Sequence, residues 1–139
     1  MNRISIAGRV TRSAALASIL ACHHPAATAA DIYVICHPAT TLAAGDVREV
    51  FLGEKAFAES ARLAPVDNLA AQPEFLSRVI KLEPGKYSTV WTKKSFRDGV
   101  NPPPLKINDA EVIEFVRRTP GAIGYVSNAA AGVVMVGKF

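Results

Sequence analysis

Side chains able to do nucleophilic or metal chemistry are scarce in this chain of 139 residues. Cys36 and His37 are neighbours at the end of an apolar run that predicts a strand. Adjacent strand residues point to opposite faces, so a Cys36–His37 catalytic pair is not expected. His37 is the only histidine after residue 30, which leaves too few histidines for a metal cluster or a Ser–His–Asp triad. Cys36 is therefore expected to be a buried structural residue.

The short motifs of common enzyme classes are also missing. Neither Gly-x-Ser-x-Gly nor His-Glu-x-x-His occurs, and there is no complete P-loop, Gly-x-x-x-x-Gly-Lys-Ser/Thr. We therefore expect no enzyme activity, no catalytic residues, no metal site and no cofactor. An enzyme that uses the Cys36 thiol stays open as the weakest alternative.

Polar residues at predicted strand ends are the best candidates for binding a ligand. His37, Thr40 and Thr41 follow the first strand, and Asn68 and Gln72 follow the second. Ligands of open α/β sheets bind in the crevice where strands give way to helices. We therefore predict these five residues as ligand-binding, with ordinary loop polarity as the alternative.

The elements that carry these residues alternate between strands and helices, which predicts an α/β domain. We expect a three-layer sandwich with a mainly parallel sheet. Pro73 fixes the start of the second helix, and Asn108 with Glu111 forms a capping-box-like pair for the fourth. The predicted strands are residues 32–36, 62–66, 122–126 and 133–136. The predicted helices are 43–52, 73–82, 86–96 and a fourth that Asn108 caps and residues 119–121 (TPG) end.

Residues 1–30 have the composition of a signal peptide. Three arginines and no acidic residue precede a short apolar run, and small residues follow it at positions 26–30. The apolar run is far shorter than the roughly 20 residues that a membrane span needs. We expect cleavage before Ala30 or Asp31 and export to the periplasm, with a lipoprotein anchored through Cys22 as the alternative. Residues 31–139 then form one domain.

Charge argues against nucleic acid as a partner. The net charge is +4, but three of the sixteen basic residues lie in the first thirty residues. Thirteen basic and twelve acidic residues remain after residue 30, which gives about +1. A nucleic-acid-binding module would concentrate basic residues in its folded part.

Five segments, in order along the chain, resemble the substrate-binding proteins of phosphate ABC transporters. They are residues 47–53 (VREVFLG), 63–66 (LAPV), 74–76 (EFL), Trp91 and 119–126 (TPGAIGYV), of which the last is the most specific. The resemblance covers roughly residues 32–127. It implies the fold of one lobe of a type II periplasmic binding protein and a binding function.

Departures from that family matter as much as the matches. The family has two lobes that close on phosphate, and this chain has room for one. The family places Ser-Gly-Thr-Thr at the entry to the second helix, where this chain has residues 67–73, DNLAAQP. That loop lacks hydroxyl groups, and Asp67 would repel a dianion, so the phosphate site is expected to be lost.

We therefore expect an exported binding or interaction module, with an envelope protein or an ABC permease as partner and at most weak binding of a small anion such as phosphate. The alternative is a true phosphate- or oxyanion-binding component of an ABC uptake system, formed as a dimer that rebuilds a cleft.

Overall fold

The structure, a computed structural model, describes residues 30–139. The predicted signal peptide and the Cys22 lipidation site lie outside the described residues, apart from Ala30. The strands are β1 Tyr33–Cys36, β2 Phe57–Ala58, β3 Ala61–Arg62, β4 Ala64–Pro65, β5 Asp67–Asn68, β6 Leu105–Lys106, β7 Ala122–Val126 and β8 Val134–Lys138. The helices are α1 Val47–Phe51, α2 Gln72–Phe75, α3 Pro84–Asp98 and α4 Asp109–Arg118.

Helix boundaries follow local signals in the sequence. The Asn108 side chain accepts a hydrogen bond from the backbone N–H of Glu111 at 3.1 Å, which satisfies a donor in the first turn of α4. Pro84 stands in the first turn of α3, where its missing N–H costs nothing. Gly99 ends α3 with φ of 65°, a left-handed conformation that glycine adopts readily. α2 continues as a π-helical turn, Leu76–Ile80.

Four strands form the central sheet in the order β4-β7-β1-β8. β4 is parallel to β7, but β1 is antiparallel to both β7 and β8. Within residues 30–139 this sheet is thus mixed, where the sequence predicted a mainly parallel one. The two short ribbons beside it are β2–β3, which is antiparallel, and β5–β6, which is parallel.

Long-range pairing explains the difference in strand direction. The expectation of parallel strands assumed that each helix returns the chain to a neighbouring strand. β1 instead pairs with β7 and β8, both of which come from the far end of the chain, and no local sequence signal specifies that pairing.

Helices cover both faces of the sheet, which confirms the α/β class and the layered arrangement. Alternate residues of a strand point to opposite faces, so Val34 and Cys36 of β1 join one core and Ile35 joins the other. The first core lies under α1, α2 and α3. Val112 and Val116 of α4 close the second. In the described part of the chain, no helix is long and apolar enough to cross a membrane.

Candidate functional site

The predicted residues after β1 lie in a loop that is hydrogen-bonded to the residue before β7. Thr40 is buried, and its Oγ1 accepts a hydrogen bond from the backbone N–H of Gly121 at 3.0 Å. His37 Nδ1 accepts a hydrogen bond from the backbone N–H of Ala39 at 3.0 Å. Thr41 is exposed. The Thr40 hydroxyl thus holds the loop in place, and His37 and Thr41 remain near the surface.

The other two predicted residues, Asn68 in β5 and Gln72 just after it, differ from each other in exposure. Asn68 is fully buried, and its Nδ2 donates to Asp109 Oδ1 at 2.7 Å and to the backbone oxygen of Tyr125 at 3.0 Å. Its Oδ1 accepts from the backbone N–H of Ala70 at 3.1 Å. The Asn68 side-chain amide therefore makes its hydrogen bonds to other groups of the protein. Gln72, at the start of α2, is half-buried and lines an open groove.

These two sets of residues lie at opposite ends of β7. The backbone N–H of His37 donates to the oxygen of Ala122, at the start of β7, whereas Asn68 contacts Tyr125, near its end. Three residues of strand separate those points by about 10 Å. The antiparallel pairing of β1 with β7 causes this separation, since only parallel neighbours would bring both loops to one edge.

A buried carboxylate forms the centre of polar contacts near the end of β7. Asp67 is only 4% exposed. The Tyr125 hydroxyl donates to its Oδ1 at 3.0 Å, and the Tyr87 hydroxyl donates to its Oδ2 at 3.1 Å. Asp67 thereby links β5 to β7 and to α3.

Burial controls the charge of this group. Loss of water raises the pKa of Asp67 from 3.8 to about 6, although the hydrogen bonds from Tyr125 and Tyr87 oppose the rise. The same burial, together with the neighbouring carboxylate, raises the pKa of both tyrosine hydroxyls, so they remain donors. At neutral pH Asp67 is mostly an anion held by two neutral hydroxyls.

Asp67 is one of the residues that line an open groove of about 540 Å³ between α2, α3 and β6. Its walls are mostly apolar and aromatic, with several hydroxyl groups along α3. The lining residues are Asp67, Gln72, Leu76, Pro84, Tyr87, Ser88, Trp91, Thr92, Ser95, Phe96, Pro102 and Leu105. Open grooves with apolar walls and a few polar groups are typical of small-molecule sites.

Sequence reasoning identified Gln72 in this groove and missed the role of Asp67. From the sequence, Asp67 is expected only to repel phosphate. Its burial depends on Tyr87 and Tyr125, which lie 20 and 58 residues further along the chain. An acidic residue directly after the buried Val66, in a chain with two inward-facing tyrosines, is the available signal.

Catalytic chemistry finds little support among the described residues. Burial raises the pKa of the Cys36 thiol, and its Sγ donates to the Thr40 backbone oxygen at 3.3 Å, so the thiol lacks the access and acidity of a nucleophile. Residues 132–138 match the first seven positions of a P-loop, but they form a turn and β8 and are followed by Phe139. No group of metal-binding side chains was found in residues 30–139.

Comparison with known proteins identifies the fold. No family model and no curated protein matches the sequence. The structure is similar to that of a Clostridium perfringens protein described as a phosphate ABC transporter substrate-binding protein, solved with bound phosphate, with a TM-score of 0.57 and 15% identity. A looser likeness, with a TM-score of 0.48 and 14% identity, is to an ABC-type phosphate transport receptor from Vibrio cholerae.

The matches cover 77% and 78% of this chain but only 45% and 47% of those proteins. The chain therefore spans less than half the length of the solved proteins that it resembles. At this low identity the first match shows the fold, a domain of the kind found in these binding proteins, as the sequence resemblance implied.

Proposed function

We propose that this chain is an exported, non-enzymatic binding module that holds a small solute in the groove above Asp67. The observation that carries the proposal is the groove itself, in which a buried and oriented carboxylate lies beneath apolar and aromatic walls. The fold supports it, since the solved protein of the same fold has bound phosphate.

The polar groups in the groove favour binding over catalysis. Asp67 is fixed by two tyrosine hydroxyls whose raised pKa keeps them protonated, so neither tyrosine is available as a base. The other polar side chains of the wall are hydroxyls and the Gln72 amide, which orient a ligand by hydrogen bonds. Such a set can select a solute without transforming it.

We infer that the protein acts in the periplasm, with an envelope protein or an ABC permease as its partner. The groove is open, so a partner surface that covers it would exclude water from the bound solute. The oxyanion-binding alternative would require a second copy of this chain to supply the donors that this groove lacks.

Thermal denaturation with a panel of cationic, neutral and anionic solutes tests the binding function. A bound solute raises the melting temperature by mass action. Phe96→Ala should reduce the rise without lowering the melting temperature of the free protein, because the Phe96 side chain lines the groove and is 94% exposed.

Phe57→Ala is the matched control, since Phe57 is 56% exposed and lies on β2, away from the groove. It should leave the response to the solute intact. A solute response that Phe96→Ala leaves undiminished, or no response to any class of solute, would count against the groove as the binding site.

A further inference from the structure

The groove lining contains one charged side chain, and it is acidic. No lysine, arginine or histidine lines the groove, although the chain carries sixteen lysines and arginines. The ion pairs found within residues 30–139 join other residues, so Asp67 has no cationic partner there. A buried anion without a counter-charge is energetically unfavourable, and a bound cation would offset that cost.

We propose that the groove binds small organic cations, specifically primary ammonium compounds with an apolar body. Asp67 accepts the ammonium group, and the aromatic side chains of the wall contact the body. The inference rests on the proposed function of the groove as a ligand site and specifies the chemistry of its ligand.

The hydrogen-bonding capacity of Asp67 fits an ammonium group. An ionised carboxylate accepts about four hydrogen bonds, and the two tyrosine hydroxyls take one position on each oxygen. These hydroxyls also fix the orientation of the carboxylate, which belongs to a groove-lining residue. The remaining acceptor positions suit a group that carries only donors, which is the property of an ammonium ion.

The aromatic side chains of the groove would contact the apolar body of the ligand. Phe96 is 94% exposed, so its ring lies in water, whereas Trp91 and Tyr87 also line the groove but are only 6% and 5% exposed. Aromatic faces attract cations and bury apolar surface at the same time. Leu105, on the opposite side, is 53% exposed and offers further apolar contact.

An anionic ligand is disfavoured by the same features. A carboxylate or phosphate would approach the Asp67 charge with no basic side chain in the groove to balance it. A neutral ligand would lack the ion pair. The charge of the head group should therefore control affinity.

Calorimetric titration at pH 7.5 with three probes of similar size tests this dependence on charge. The probes are phenethylamine, 2-phenylethanol and phenylacetate, which share a ring and differ in the head group. Phenethylamine should bind, the alcohol should bind at least about tenfold more weakly, and phenylacetate should not bind.

Asp67→Asn tests the role of the carboxylate, because it removes the charge and keeps the shape. It should reduce phenethylamine affinity at least about tenfold and leave the weak binding of 2-phenylethanol unchanged. If this variant fails to fold, the order of the three probes on the wild type decides the role of charge, and Phe96→Ala, with Phe57→Ala as control, tests only the aromatic contact through an expected several-fold loss of phenethylamine affinity.

Equal or tighter binding of the alcohol or of phenylacetate would overturn the inference but leave the groove as a solute site. Undiminished phenethylamine binding by Asp67→Asn would overturn it too, as would no binding of phenethylamine at millimolar concentration. The proposed function fails separately, when no class of solute in the thermal panel gives a response that depends on Phe96.

Discussion

At the residue scale, Asp67 has a structural and an electrostatic effect at once. Its two hydrogen bonds hold Tyr87 of α3 and Tyr125 of β7 together, and Tyr125 also stacks on Phe75 with ring centroids 3.7 Å apart. The same burial that makes these contacts raises the pKa of Asp67. The network thus stabilises the fold and leaves an uncompensated charge at neutral pH.

This raised pKa predicts an unusual pH dependence of stability. The Asp67 carboxyl binds its proton more tightly in the folded state, where the pKa is about 6, than in the unfolded state, where it is about 3.8. The stabilisation by that proton is therefore complete below about pH 3.8 and is lost as pH rises through about 6. The loss amounts to about 3 kcal/mol, since one pKa unit corresponds to about 1.4 kcal/mol.

Asp67→Asn should remove that pH dependence. Urea denaturation between pH 4 and pH 7.5 should show the free energy of unfolding of the wild type falling relative to the variant by up to about 3 kcal/mol. Asp98→Asn is the control, because Asp98 is paired with Arg97 at the surface, and it should keep the wild-type fall. Parallel curves for wild type and Asp67→Asn would show that Asp67 has an ordinary pKa.

At the element scale, α3 is the helix that forms the wall of the groove, and two contacts fix its position. Trp91 is 6% exposed, its Nε1 donates to the Phe51 backbone oxygen at 3.1 Å, and its ring lies against Gly53. Tyr87, one turn earlier, reaches Asp67. α3 is thereby attached both to the end of α1 and to β5.

Trp91→Ala should lower the free energy of unfolding by about 3–5 kcal/mol, because it leaves a large cavity and an unpaired carbonyl at Phe51. Phe96→Ala on the same helix is the control and should change stability by less than about 0.5 kcal/mol, since Phe96 is exposed. Chemical denaturation of both variants measures the difference. A Trp91→Ala protein as stable as wild type would mean that this ring does not anchor α3.

Structural features that depend on residues close together in the sequence, such as helix caps and turns, were predictable. The Asn108 cap of α4 and the inward position of Trp91 are both present in the structure. Gly121 turns the chain with φ of 84°, and a Cβ there would lie 2.1 Å from the Arg62 backbone oxygen, so the glycine is required.

Structural features that depend on residues far apart in the sequence, such as strand pairing, were not predictable. The direction of β1 depends on its pairing with β7, whose paired residues lie 87 to 93 positions later in the chain, and that direction separates His37 from Asn68. The network at Asp67 likewise needs residues from three elements. Local patterns predict where helices begin and end, but they do not specify which strands pair or which charges become buried.

At the scale of the whole molecule, the domain has a fold that matches less than half of a longer protein. We expect the mature form to begin at Ala30 or Asp31, because the charged start, short apolar run and small residues of the first thirty positions are typical of a cleaved signal peptide. The intact mass of protein taken from the periplasm measures this. A retained Met1, or a lipid on Cys22, would contradict it.

The last prediction is that the purified mature protein does not bind phosphate tightly at neutral pH. Two-lobed proteins bury a ligand among many converging donors, and micromolar affinity needs about 8 kcal/mol. The groove offers no basic side chain and places the Asp67 carboxylate where an anion would lie. A helix N-terminus contributes only about 0.3–1 kcal/mol, which is too little to compensate.

Calorimetric titration with phosphate and sulfate, combined with a measurement of oligomeric state in the same buffer, tests this prediction. We expect no heat of binding for either anion at concentrations where phenethylamine gives a clear isotherm. A micromolar, phosphate-selective isotherm from a monomer would refute the argument, because one lobe would then supply enough donors. The same isotherm from a dimer would instead support the alternative in which two copies rebuild a cleft, with donors from both chains outweighing the Asp67 charge.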